Sequence, residues 1–113
     1  MSLSVVDRNG MLTDELRELL ARRLSYALSR FESRIRRKTV VFDDANGPRG
    51  GVDKQCRVTV KLDRTGDVVI REQDADISKC ITRAAERIGR AVARAIERAQ
   101  HTYRKKPLNA GPM

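Results

Sequence analysis

Cysteine and histidine are scarce in this sequence. The chain contains two cysteines, Cys56 and Cys80, with no CxxC spacing, and a single histidine, His101. These are too few soft ligands for a structural zinc site of the usual kind, so we expect no metal and no other cofactor. Because cytosolic thiols stay reduced, we also expect no disulfide between Cys56 and Cys80.

Long apolar runs are missing as well. No segment approaches the roughly 18 consecutive apolar residues that are needed to span a bilayer. The N-terminal residues MSLSVVDRNGM lack the basic-then-apolar order of a signal peptide. The sequence therefore predicts a cytoplasmic protein with no membrane partner.

Aromatic residues are few. Tryptophan is absent, and Tyr26, Phe31, Phe42 and Tyr103 are all the aromatic residues that occur. None of them alternates with basic residues along a predicted strand, so we expect no platform on which single-stranded bases could stack. Phe31 and Phe42 lie in apolar patterns typical of a core, whereas Tyr26 and Tyr103 fit either a core or a surface.

Positive charge, in contrast, is abundant. The 113 residues include 24 Lys or Arg and 15 Asp or Glu, a net charge of +9. The pI of about 10.4 exceeds the value of roughly 9 that flags nucleic-acid-binding domains. Residues 79–106 hold nine basic and two acidic residues, and residues 13–38 hold eight and four. Since the other residues sum to −2, the positive excess is predicted to lie on or beside two helices.

Hydrophobic periodicity and turn residues divide the chain into six elements. Spacings of three and four residues indicate helices, strict alternation indicates strands, and Thr13 and Asp74 or Asp76 are candidate helix caps. Pro107 is expected to stop the last helix. The predicted elements in chain order are a strand at 3–7, a helix of roughly 20 residues from Thr13 to near Arg34, strands at 39–42 and 55–63, a hairpin turn at 63–67, a strand at 68–72, and a helix ending near Arg104.

This order predicts an α+β fold. Antiparallel hairpins leave one polar and one apolar sheet face, and two amphipathic helices can cover the apolar face. We therefore predict a two-layer sandwich of order β-α-β-β-β-α, with a four-stranded sheet and both helices on one face. Residues 1–106 form a single domain in this interpretation, and 107–113 form a flexible C-terminal tail.

The last helix carries a row of cations. On a helical wheel, Lys79, Arg83, Arg87, Arg90, Arg94 and Arg98 fall within one quadrant, opposite an apolar stripe. Neighbouring like charges at these spacings repel by a few tenths of a kcal/mol each. A surface whose like charges repel one another, and whose repulsion a bound polyanion would relieve, indicates nucleic-acid binding. Only six of the 24 basic residues are lysine, and the arginine fork suits phosphate. The surface is predicted to recognise phosphates and shape.

Catalysis has little support in the sequence. The carboxylate pairs Asp43 with Asp44 and Asp74 with Asp76 fall in a glycine-rich loop and at a helix start, where turn and capping roles are common. His101 has no serine or cysteine partner nearby. The GPRG of residues 47–50 matches neither common phosphate-loop motif and is interpreted as a flexible turn. We expect a protein that is not an enzyme and has no small-molecule substrate.

Two long stretches resemble a known family. LTDELRELLARRLSYALSRFESRI and KQCRVTVKLDRTGDVVIREQDADISKCITRAAERIGRAVARAI resemble the bacterial ribosome hibernation-promoting and ribosome-associated inhibitor family, whose members have also been called sigma modulation proteins. The resemblance covers roughly residues 3–106. It rests on element order, a T-x-x-L-R opening of the first helix, valine-rich hairpin strands and an acidic start to the last helix.

The resemblance implies a fold similar to the double-stranded-RNA-binding domain and a partner, the small ribosomal subunit and its rRNA. Members lie between the head and body of that subunit, block the decoding region and silence ribosomes under stress. The basic positions of the family fall here on Arg17, Arg23, Arg87, Arg90, Arg94 and Arg98. Lys79, Arg83 and Arg22 extend the patch by helical geometry alone.

Departures from the family pattern leave alternatives open. The loop at 43–54 is longer than usual, and Lys79 and Arg83 stand where relatives often carry small, polar or acidic residues. A general double-stranded-RNA binder, or an interaction protein for an acidic partner such as a sigma factor, would also fit the charge. An exposed strand edge would allow a weak homodimer.

Overall fold

The structure is a computed structural model that describes residues 3–44 and 54–110, with side chains described as far as Gln100. Its elements in chain order are β1 (Leu3–Asp7), α1 (Asp14–Leu28), a 3₁₀ helix (Ser29–Arg34), β2 (Ile35–Asp44), β3 (Lys54–Leu62), β4 (Gly66–Asp74) and α2 (Ile77–Ala110). The predicted β-α-β-β-β-α order and the α+β class are confirmed.

The four strands form one mixed sheet in the order β1-β2-β3-β4. β1 runs parallel to β2, with Leu3 opposite Lys38, and α1 provides the crossover that a parallel pair requires. β2, β3 and β4 pair antiparallel. The turn between β3 and β4 contains Arg64 and Gly66 at φ 68° and 96°, so its tip uses the left-handed region that Gly66 enters without strain. β1 and β4 form the sheet edges, and dimerisation through an edge stays a prediction.

The core lies between one face of the sheet and the two helices. The alternation predicted for β3 is confirmed, since its apolar side chains are buried and Arg57 and Lys61 are exposed. Phe42 is fully buried, as expected, and Phe31 packs partly buried against the core. The side chains that fill the core from both layers are Leu20, Leu24, Leu28, Val40, Phe42, Cys56, Val58, Val60, Ile81, Ile88 and Val92. Both cysteines are buried and free in the structure.

Both helix starts follow the predicted capping chemistry. Thr13 Oγ1 accepts a hydrogen bond from the backbone N–H of Leu16 at 3.1 Å, which satisfies one of the free donors of the first turn of α1. Asp76 Oδ1 accepts from the N–H of Ser78 at 2.9 Å at the start of α2. Asp74 Oδ1 in turn accepts from the N–H of Asp76 at 2.8 Å. Asp76 is therefore the cap, and Asp74 orders the turn before it.

The structure corrects the predicted ends of three elements. The first helical segment changes to a 3₁₀ helix at Ser29 instead of continuing as an α-helix. β2 and β4 extend beyond 39–42 and 68–72, because pairing with β3 recruits flanking residues that have no strand pattern of their own. The basic residues at 36–38, which the prediction left between the first helix and the second strand, consequently belong to β2, and a β-bulge separates Ile35 from Arg37.

The last helix also ends later than predicted. α2 runs through Pro107 to Ala110 instead of stopping near Arg104. Proline removes one backbone N–H, and here the neighbouring residues keep helical geometry despite that loss. Within the described residues, no helix has the length and apolar character that crossing a bilayer demands. The GPRG turn at 47–50 and residues 111–113 lie outside the described residues, and the division into a domain at 1–106 and a tail at 107–113 stays a prediction.

Candidate nucleic-acid interface

Helices α1 and α2 approach each other closely at Gly89. A Cβ atom built on Gly89 would lie 3.2 Å from Ala27 Cβ and 3.3 Å from the Ala27 carbonyl oxygen. Ala85 and Ala93, which lie one helical turn to either side of Gly89, are also small. Small residues along this contact let the two backbones come near each other, so side chains on both helices border the same depression.

This depression is an open groove of about 800 Å³, which we call the inter-helix groove. Four of its side chains are arginines, and one, Glu86, is acidic. Tyr26 stands at the groove with 87% of its surface exposed, so it belongs to the surface and not to the core. The groove is lined by Arg23, Tyr26, Ala27, Arg30, Thr82, Ala85, Glu86, Gly89, Arg90, Ala93 and Arg94.

Arg30 is a groove residue that the sequence interpretation missed. It lies on the 3₁₀ helix, where its guanidinium stacks over the Phe31 ring at 4.7 Å from the ring centroid. A further depression of about 400 Å³ shares Arg30 and Ala93 with the groove and continues it towards Gln100. A signal for Arg30 was present, since it follows Arg23 by seven residues and so falls on the same side of a helix.

Arg83 and Arg87 point to a different neighbour, β4. Arg87 Nη1 donates to the Arg71 carbonyl oxygen at 2.7 Å and pairs with Glu72 Oε2 at 2.6 Å. Arg83 forms an ion pair with Asp74. A helical wheel cannot distinguish these two arginines from those of the groove, because the carboxylates that bind them lie on β4 and not on the helix. The two arginines thus attach α2 to the sheet, and a role for them in RNA binding stays a prediction.

The other candidate residues are spread over the helices. Arg17 Nη2 lies 3.9 Å from Asp7 Oδ2 at the end of β1. The Asp7 carboxylate also accepts hydrogen bonds from the backbone N–H groups of Met11 and Leu12, both at 2.9 Å. Of the nine candidates, the groove brings together Arg23, Arg90 and Arg94. Three more are exposed and form no ion pair with the described part of the chain: Arg22, Lys79 and Arg98.

Carboxylates are engaged in local contacts. The hydrogen bonds from Ser78 hold the pKa of Asp76 below its usual value. Asp43 pairs with Arg8 at 3.6 Å and accepts from the N–H of Asp44 at 2.9 Å. In residues 3–44 and 54–100, no group of three or more His, Cys, Asp and Glu side chains is placed to hold a metal ion.

A two-layer α+β domain with arginines from two helices in one groove is typical of a protein that binds a polyanion. Comparison with family models gives a specific result. The model of the sigma 54 modulation protein / S30EA ribosomal protein family matches residues 3–100, and the chain belongs to that family. The predicted resemblance is confirmed.

Two solved structures have a similar fold. A ribosomal subunit interface protein from Coxiella burnetii has a TM-score of 0.70 at 15% identity, with 83% of this chain and 96% of that one covered. The N-terminal domain of Thermus thermophilus Protein Y has a TM-score of 0.67 at 27% identity, with 83% and 98% covered. No curated protein sequence matches the chain significantly.

Proposed function

We propose that the protein associates with the small ribosomal subunit in the cytoplasm, binds its RNA through the inter-helix groove, and silences translation by blocking the decoding region. The observation that carries this proposal is the convergence of four groove arginines from both helical segments in a member of this family. The name of the Coxiella relative, a subunit interface protein, supports the same partner.

The chemistry of the groove fits an RNA backbone. The guanidinium groups of Arg23, Arg30, Arg90 and Arg94 form no ion pair with the described residues, so their charges are available to phosphates. Each planar fork can hold a phosphate through two parallel hydrogen bonds. Binding would release counterions from the RNA, and the affinity should therefore fall steeply with salt. No step of this function requires the protein to catalyse a reaction.

Co-sedimentation with purified small ribosomal subunits tests the proposal. We expect saturable binding near one copy per subunit, and we expect Arg90→Gln combined with Arg94→Gln to weaken it. Each lost phosphate contact should lower the slope of log affinity against log salt by about 0.7 to 0.9. Glu86→Gln is the matched control within the groove, because removing an anion there should tighten binding. Arg64→Asn removes a cation from the β3–β4 turn, far from the groove in sequence, and should change little.

The same assay separates the alternatives. A plain RNA duplex that displaces the protein from the subunit would favour a general double-stranded-RNA binder, which contacts about 16 base pairs. Association with an acidic protein that survives nuclease treatment would favour the sigma-factor alternative contained in the family description. Blocking of the decoding region predicts that the bound protein prevents mRNA and tRNA from binding the subunit, and simultaneous binding of all three would contradict it.

A further inference from the structure

The sheet has a second basic surface on the side away from the helices. Both helices cover one face of β1–β4, so side chains at alternate positions project from the other, which we call the open sheet face. Its cations are Arg37 on β2, Arg57 and Lys61 on β3, and Arg71 on β4, all of them exposed. The sequence interpretation did not foresee this surface, because it began the second strand at residue 39 and so assigned Arg37 to no strand.

The strand register sets these four cations in two like-charged pairs. Arg57 lies directly opposite Arg71, and Arg37 directly opposite Lys61. Like charges in such positions destabilise a sheet. Arg57 and Lys61 are four residues apart on β3, which separates the two pairs by about 13 Å. Within the described residues none of the four cations forms an ion pair. Asp67 lies opposite Lys61 and offsets part of the Arg37–Lys61 repulsion, but no carboxylate lies opposite Arg57 or Arg71. A bound polyanion would relieve the repulsion in both pairs.

Most acidic residues of β4 lie on the sheet face that the helices cover. Glu72 and Asp74 bind Arg87 and Arg83 on the helix side of the sheet. Asp67 is the acidic residue of β4 on the open sheet face, where it lies opposite Lys61. The other nearby carboxylate, Asp43 on β2, pairs with Arg8. The carboxylates of β4 therefore lie mostly on the helix side of the sheet, and cations are in excess on the open sheet face.

The residues between the two pairs are small. Thr39 and Thr59 lie opposite each other and offer hydroxyl donors, and Val69 beside them is 46% exposed. No aromatic side chain belongs to the described part of this face, so bases would find nothing to stack on. An exposed sheet face whose polar side chains are mainly arginine, lysine and threonine, beside the exposed Val69, suits the phosphate backbone of RNA, to which such polar side chains make positioning contacts.

We propose that the open sheet face binds the phosphate backbone of a second RNA segment, so that the domain is held between two RNA surfaces. This inference rests on the proposed function, because it takes the ribosome as the source of both segments. The inter-helix groove contacts one segment, and the pairs Arg57–Arg71 and Arg37–Lys61 contact the other. The domain then acts as a wedge with a basic surface on each side.

Photo-crosslinking tests both contacts at once. A benzophenone amino acid replaces Val69 on the open sheet face in one variant and Glu86 in the inter-helix groove in another, and each is irradiated with purified small subunits. We expect both positions to crosslink to ribosomal RNA. Crosslinks from position 86 alone would overturn this inference while leaving the proposed function intact. Crosslinks from position 69 to protein only would overturn it in favour of a protein partner, and no association of the unmodified protein would overturn both.

Charge variants of the same face provide a second measurement. Arg57→Gln combined with Arg71→Gln should lower the slope of log affinity against log salt by about 1.4 to 1.8, since two phosphate contacts are lost. Asp67→Asn removes an anion from the same face and should tighten binding. Thermal unfolding checks that each variant is folded, and relief of the Arg57–Arg71 repulsion should leave the double variant at least as stable as the parent. Unchanged affinity in both variants would mean that the open sheet face stays exposed to solvent in the complex and does not bind RNA.

Discussion

Gly89 is the residue that decides how close the two helices come. Its missing side chain leaves room for Ala27, whose carbonyl oxygen and Cβ would be in tight contact with any Cβ at this position. The sequence showed a glycine within a helical pattern, which signals a packing reason in general but identifies no neighbour. The partner helix became apparent only from the structure.

We expect Gly89→Val to destabilise the protein by about 1–3 kcal/mol, because the added atoms overpack the contact with Ala27. The intrinsic helix propensity of valine exceeds that of glycine, so the local effect of the substitution has the opposite sign. Urea denaturation measures the outcome, and ribosome binding should weaken in parallel as the arginines of the two helices move apart. A variant more stable than the parent would show that the helices can separate without cost.

Arg87 and Arg90 occupy similar positions on a helical wheel but have different neighbours. Arg87 contacts Glu72 and the Arg71 carbonyl oxygen, and Arg90 lines the inter-helix groove. Glu72 is largely buried, with 11% of its side chain exposed, whereas Arg87 is 48% exposed and partly screened by solvent. The ion pair is therefore modest in energy, and its main effect is to position α2 against β4.

The two substitutions Arg87→Gln and Arg90→Gln separate these roles. We expect Arg87→Gln to lower the free energy of unfolding by about 1 kcal/mol, because Glu72 loses its charged partner. Arg90→Gln should stay within about 0.5 kcal/mol of the parent, as is usual for exposed sites, yet weaken ribosome binding. Chemical denaturation and co-sedimentation of both proteins give the comparison. Equal stability losses would mean that the groove arginine also has a structural partner.

Among the elements, the starts of the helices and the alternating strand were predictable from the sequence, because local chemistry decides them. Thr13 and Asp76 are caps of the expected kind, and β3 shows its pattern in the residues themselves. The residues at 36–38 were assigned to no element, because three consecutive basic residues have no strand pattern and become a strand only through pairing with β3. The inter-helix groove forms through contacts between elements that are distant in sequence. The sequence therefore predicted three of its arginines, Arg23, Arg90 and Arg94, but missed Arg30.

The cap of α2 should make stability sensitive to acid. Hydrogen bonds from Ser78 lower the pKa of Asp76 below the ordinary value of 3.8, so the charged carboxylate stabilises the folded state above that pH. This contribution should be lost as the pH falls below 3.8 and through the folded-state pKa. Asp76→Asn keeps a capping oxygen without the titration, and we expect its melting temperature to fall less steeply over this range. Parallel melting curves of the two proteins against pH test this, and identical slopes would contradict it.

At the scale of the whole molecule, the two layers meet at the cysteines. Cys56 on β3 and Cys80 on α2 are both fully buried, and Cys80 Sγ also lies 3.7 Å from the Lys54 carbonyl oxygen. The hydrogen bond with Cys80 and burial raise the pKa of the Cys56 thiol, which stays protonated at neutral pH. Exposure of either sulfur requires the helix to leave the sheet.

We therefore expect both thiols to react with a disulfide reagent only as the domain unfolds. Followed against urea, the reaction should coincide with the loss of helical circular dichroism, since one opening exposes both layers. Cys56→Ala and Cys80→Ala assign the signal to each sulfur. Rapid reaction of one thiol in the absence of urea would show that α2 separates locally from the sheet.

The sheet order β1-β2-β3-β4 has a consequence for how the chain acquires its structure. Each strand pairs with its neighbour in sequence, and within the described strands only the pairing of β1 with β2 must enclose a whole helix. The three antiparallel strands can assemble as a meander before that larger ring closes, because smaller loops cost less entropy. During synthesis β1 emerges first, yet it must wait for β2. Among the described strands β1 thus waits longest for its partner, and its edges stay unpaired while the ribosome is still at work.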